Sequence, residues 1–281
     1  MNRLPIAALP ALLLVACAAP SSHTRSEAYP APQATQAEDT SLDAAIAGPW
    51  RSPADAARDQ YRHPRQTLDF FGVRADQTVI EITPGGGWYA QILAPYLSDR
   101  GHYVAALAKP DRPEGEAAGD KQALATKFAA DPTHFGRATT VEFDPKAPGF
   151  GPPASADVVL TFRNVHNWVM SGTQAAMFRG FFDVLKPGGV LGVTDHRANA
   201  GAATDGGQGY VTEQQVIDYA TAAGFVLDGR SDINANPRDR KDYPKGVWTL
   251  PPTFALGDTD RATYLAIGES DRMTLRFRKP R

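Results

Sequence analysis

The sequence predicts a doubly wound α/β domain on a mainly parallel, seven-stranded sheet with an antiparallel edge. Three observations carry that reading. From Thr78 onward, short and nearly all-apolar runs alternate with stretches of helical periodicity, the pattern of parallel strands covered on both faces. The run Val79-Ile80-Glu81-Ile82 leads into Thr83-Pro84-Gly85-Gly86-Gly87, where glycines let backbone approach a ligand as a strand hands over to a helix. After Asp195 the alternation gives way to a glycine-rich loop, one helix and two further strands, which suits an antiparallel pair at the sheet edge.

The elements follow in order. Ser52-Pro53-Ala54-Asp55 reads as an N-cap, a proline at the first helical position and an early acid, so a short helix starts there. Pro64 opens another that ends at Gly72. Strands are expected at residues 78–83, 103–107, 139–143, 156–162 and 189–195, with helices at 88–97, 116–129 and 173–185 between them. A helix at 212–223 and strands at 225–231 and 273–278 complete the set. Residues 233–270 are long for a connection inside a compact domain. Their polar and aromatic residues, among them Asn234, Arg238, Tyr243 and Trp248, suit either a lid over the site or a cover for the sheet edge, the latter being favoured.

The first residues bear on location. One positive charge (Arg3) precedes an apolar run from Leu4 to Ala16 that is too short to span a bilayer, the pattern of a signal peptide over residues 1–16. Leu14-Val15-Ala16-Cys17 resembles the lipobox of bacterial lipoproteins, which implies cleavage before Cys17 and lipidation of that residue. The resemblance, with no Asp at position 18, implies an anchor on the periplasmic side, in the outer membrane. An ordinary signal peptide is the alternative. Residues 17–48, rich in Ala, Pro, Ser, Thr and Gln, read as a disordered tether, and residues 49–281 as the folded domain.

Cys17 is the single cysteine of the 281 residues, so neither a disulfide nor a cysteine nucleophile or metal site is available. Without residues 1–16 the chain keeps 28 basic against 31 acidic residues, a balance that gives no electrostatic reason to expect nucleic acid as partner.

From about residue 67 to 278 the chain resembles the class I S-adenosylmethionine-dependent methyltransferases. Their first motif is an acid followed by glycines two, four and six positions later; here Glu81 is followed by Thr83, Gly85 and Gly87, with Gly86 between the last two. Leu185-Lys186-Pro187-Gly188-Gly189 looks like the turn before their fifth strand. The resemblance implies a Rossmann-like methyltransferase fold, S-adenosylmethionine as cofactor, and a small molecule or envelope component as acceptor. It places Asp144 against the adenine and Phe162-Arg163-Asn164-Val165-His166 on the loop facing the methyl group, with Asn164 as a further cofactor contact. More narrowly, the chain looks like a group of exported predicted methyltransferases. It departs from the family in two places. Thr83 replaces the first glycine. Ala108 and Lys109 stand where an acid normally meets the ribose, with Asp111 as the nearest substitute. Gly85, Gly87 and Ala90 also fit a dinucleotide fingerprint, a second reading.

Methyl transfer needs positioning in a water-poor pocket and, for a protonated acceptor, a base. His166 is the candidate base. Asp195 and His196, further catalytic candidates, end the fifth strand at the ligand-binding edge, where either could face the acceptor; as strand neighbours they are expected to point to opposite faces. Together with His166 they could instead hold a metal ion, although no helix-spaced histidine motif supports one and none is expected. Because the sulfonium donor is made in the cytoplasm, a non-catalytic ligand-binding or structural lipoprotein of the same shape is the alternative function.

Overall fold

The computed structural model describes residues 40–110 and 114–281. Residues 1–16, Cys17, most of the expected tether and Asp111 lie outside the described residues. The end of that tether is corrected: residues Thr40–Ile46 form a helix, α1. Leu42, Ala45 and Ile46 recur at helical spacing, and Leu42 and Ala45 are buried in the core. The folded domain therefore begins before residue 49.

Three short helices follow, α2 (Pro53–Ala56), α3 (Asp59–Arg62) and α4 (Pro64–Phe71). The Ser52 hydroxyl accepts from the Asp55 N–H, as its N-cap role requires. Gly72 ends α4 in the left-handed conformation. The alternating part comprises β1 (Thr78–Ile82), α5 (Ala90–Leu97), β2 (His102–Ala108), α6 (Glu116–Ala130), α7 (Pro132–Phe135) and β3 (Thr139–Phe143). It continues through β4 (Ala156–Phe162), α8 (Val165–Ser171), α9 (Gln174–Val184) and β5 (Leu185–His196). The C-terminal part is α10 (Glu213–Ala222), β6 (Val226–Ser231), a 3-10 turn at Gly246–Thr249, α11 (Arg261–Ile267) and β7 (Arg272–Arg278).

The strand order is β3-β2-β1-β4-β5-β7-β6. Strands β1 to β5 run parallel, and β7 lies antiparallel between β5 and β6. The chain moves outward from β1 through β2 to β3, then returns to lay β4 against the other side of β1. That reversal opens a crevice at the carboxyl ends of β1 and β4, the place where open α/β sheets bind ligands.

Alternation along each strand divides the core. Val79, Tyr103 and Leu160 pack under α4 and α5, whereas Ile80, Val159 and Leu191 pack under α9 and α10. Glu81 lies two residues beyond Val79, so its side chain falls on the α5 face, beside Tyr103. None of the helices among the described residues is long and apolar enough to cross a membrane.

Candidate active site

The crevice is the mouth of a cavity of about 920 Å³. Its floor is the β1–α5 loop, one wall is α2 and α3, the opposite wall is the end of β4 with α8, and Val247 to Thr253 close it from above. Residues 233–270 thus supply the lid, the less favoured of the two expectations. They also brace the sheet end, since Asn234 Nδ2 donates to Thr67 Oγ1 and Thr274 Oγ1 at 3.0 and 2.9 Å. Buried Asp239 fixes the segment by accepting from Tyr210 Oη and the Asp271 N–H.

The floor is shaped by backbone. Gly85 and Gly87 hold φ of +56° and +79°, and Thr83 holds +48°, a left-handed conformation that is a genuine outlier for a β-branched residue. A glycine would sit there without strain; Thr83 is held by its N–H, which is bonded to the Ala106 carbonyl at 2.8 Å. A Cβ on Gly86 would meet nothing within 4 Å, so the loop presents bare backbone to the cavity. Glu81 lies at the cavity floor, 2 % exposed, and accepts from Tyr103 Oη at 2.7 Å. Burial raises its carboxyl to about 7, against the opposing pull of that bond and of Arg62 and Lys127.

On the far wall, His166, Asp195 and His196 come together, all buried. His166 Nδ1 donates to Asp195 Oδ1 at 2.9 Å, which fixes the tautomer and leaves Nε2 as a proton acceptor on a ring that lines the cavity. The His196 ring centroid is 5.3 Å from that of His166. The opposite-face expectation fails because the Asp195 carboxylate turns back along the chain: Oδ1 also accepts the His196 N–H at 2.7 Å. Burial, then His166 and Arg163, hold His196 well below the usual histidine range, so it is neutral at cellular pH. Ligand atoms of the three lie within 4.8 Å of one another, a grouping that resembles a metal site. Both carboxylate oxygens, however, already accept N–H groups, Oδ2 from Val165 and His166. A cation bound to either oxygen would compete with the two hydrogen bonds that oxygen already accepts, so the geometry suits a proton-handling pair better.

The remaining expected residues divide. Asn164 lines the cavity, but its Nδ2 donates to the Ile82 carbonyl and Thr161 Oγ1, tying β1 to β4 and leaving its oxygen for a ligand. Asp144 lies elsewhere: it is exposed after the edge strand β3, and its Oδ1 accepts the Lys146 N–H in a local turn, outside the cavity lining. Sequence reasoning missed Asp120 on α6, which lines the cavity with an oxygen 3.8 Å from where a Cβ on Gly85 would stand. Arg58 and Arg62 were missed as well, since nothing in their spacing distinguishes them from solvated surface, and Arg163 was placed on the methyl-facing loop without a role of its own.

The described chain superposes on solved methyltransferases over most of its length. An S-adenosylmethionine-dependent methyltransferase from Aquifex aeolicus matches 86 % of this chain and 98 % of its own, at 13 % identity and a TM-score of 0.52. The architecture is the class I methyltransferase fold. A putative sarcosine dimethylglycine methyltransferase from Galdieria sulphuraria matches 81 % of this chain and 88 % of its own, at 14 % identity and a TM-score of 0.55. The cyclase SpnF matches 86 % and 92 % at 18 % identity and a TM-score of 0.54, so the fold also carries other chemistry. No protein-family profile matches the chain, and no curated protein does.

Proposed function

We propose that the protein transfers a methyl group from S-adenosylmethionine to a small-molecule or envelope acceptor. The observation that carries this reading is one cavity with a bare glycine floor at the sheet's switch point and a His166–Asp195 pair on its wall. The residues present fit such a donor: Gly85 to Gly87 leave backbone open to it, Glu81 lies beneath, and Asp120 stands beside the loop. When bound, the donor supplies an electrophilic methyl group on a sulfonium. His166 Nε2 would take the proton that an acceptor sheds, worth on the order of 10²–10⁴-fold in rate. Asp195 holds the imidazole in the tautomer that this needs. Tyr89, stacked on Phe162 with centroids 3.7 Å apart, and Trp248 in the lid give the cavity its aromatic surface, against which reactants can be positioned.

Export and lipidation at Cys17 belong to the same proposal, on the strength of the lipobox alone. Cys17→Ser should stop incorporation of labelled palmitate and release the protein from membranes; unchanged labelling would refute lipidation there.

Calorimetry with S-adenosylhomocysteine tests the donor site. Micromolar binding is expected for the wild type and none for Gly86→Leu, whose side chain would enter the cavity without straining the loop. Absence of binding at millimolar ligand would leave a methyltransferase-shaped protein without the activity.

A further inference from the structure

The cavity holds more positive charge than the glycine floor and the histidine pair use. Arg62 is 3 % exposed, and its Nε and Nη1 have no hydrogen-bond partner. Arg58 Nη2 and Arg163 Nε are likewise buried without one. Burial, and then Arg163, depress the Arg62 guanidinium well below its ordinary range; burial and then Arg272 bring Arg163 down to about 10. The acids present are engaged elsewhere. Glu269 accepts from Arg58 Nε and Arg272 Nη2, each at 2.6 Å, and Asp195 is occupied by N–H groups. Glu81 is bonded to Tyr103. Among the described residues, neither Arg62 nor Arg163 forms a salt bridge.

Glu269 and Asp195 act on Arg163 from a distance, as Glu269 and Glu81 do on Arg62, but a buried guanidinium whose N–H groups stay unbonded is unfavourable, so a fold that keeps two of them beside a cavity is organised for an anion. Both are held in place. The Arg62 guanidinium carbon lies 4.2 Å from the Trp88 ring centroid, and Arg163 holds φ +63° with its N–H bonded to the Thr194 carbonyl. Arg163 is three residues before His166, on the wall formed by the end of β4 and α8.

We infer that Arg62 and Arg163 bind a carboxylate or phosphate group on the second ligand of this cavity, which under the methyl-transfer reading is the acceptor. Guanidinium forks pair bidentately with two oxygens of a carboxylate or a phosphate, so the acceptor is an acid or a phosphorylated compound rather than a neutral one. The donor's own carboxylate is the competing source of the same chemistry.

The test uses the full chain at constant ionic strength, with inorganic phosphate and benzoate as probes and sodium chloride as control. Thermal shift and calorimetry are read with and without saturating S-adenosylhomocysteine. Both probes should bind at millimolar concentration in either condition, and Arg163→Gln should weaken them at least tenfold. Arg62→Met should raise the melting temperature of the ligand-free protein, by removing unbalanced charge, while abolishing stabilisation by phosphate. Equal stabilisation by chloride, or probe affinity unchanged in Arg163→Gln, would overturn the anion site. Displacement of the probes by S-adenosylhomocysteine would assign the pair to the donor and overturn the acceptor. Probe binding through the arginines without any S-adenosylhomocysteine binding would uphold the anion site while the methyl-transfer reading falls.

Discussion

Replacing Glu81 by Gln probes the floor of the cavity through its protons. Burial raises the Glu81 carboxyl from an ordinary 4.5 to about 7, so the folded chain holds this proton more tightly than the unfolded chain does. Stability then falls as pH rises from about 4.5 to about 7 and stays level above that. At 1.36 kcal/mol per unit, the loss is about 3 kcal/mol. Glutamine keeps an acceptor for Tyr103 Oη and carries no proton to lose. Urea unfolding of both proteins between pH 4.5 and 8.5 isolates the effect, because other groups titrate alike in the two. Glu81→Gln should gain about 3 kcal/mol on the wild type between the ends of that range. Parallel curves would refute the burial argument and show the carboxylate solvated or paired. A cationic donor would favour the ionised form, so its binding should also release protons, seen as buffer-dependent heat.

Other expectations follow from the same geometry. His166→Ala should keep S-adenosylhomocysteine binding while methyl transfer to an acceptor falls about 10²–10⁴-fold; unchanged turnover would remove His166 as the base. Asp195→Asn should lower turnover with donor affinity retained, because the tautomer is no longer fixed, and its pH–rate profile should shift. Thr83→Gly should relieve the left-handed strain and raise stability by roughly 1 kcal/mol in urea unfolding, with a loss counting against that strain. Asp239→Ala removes a buried acceptor from the lid and should cost about 1–3 kcal/mol, with faster proteolysis within residues 233–270 as the local signature.

The strands and helices were legible because hydrophobic periodicity is a local signal. Val79 and Ile80 announce opposite faces of one sheet, and Pro64 with Gly72 brackets a helix within nine residues. Glu81, the glycine corner and His166 were legible because strand ends and their loops converge at a switch point. Partners across the fold were not. Arg62 sits on a four-residue helix that reads as surface, and the packing of Trp88 and Tyr89 over it brings it inside. Asp120 looks like the solvated side of α6 until that helix is laid beside the β1–α5 loop. Asp144 lies outside the cavity lining, where its Oδ1 is held by its own turn. The lid is the hardest case: its place over the cavity rests on long-range bonds such as Asp239 to Tyr210, which leave no periodic trace.

A crystal structure of the chain with S-adenosylhomocysteine tests the central claim most directly. The ligand should lie along Gly85 to Gly87 above Glu81, with its sulfur turned toward His166. Density elsewhere, or a cavity that stays closed to the ligand at saturating concentration, would contradict the account.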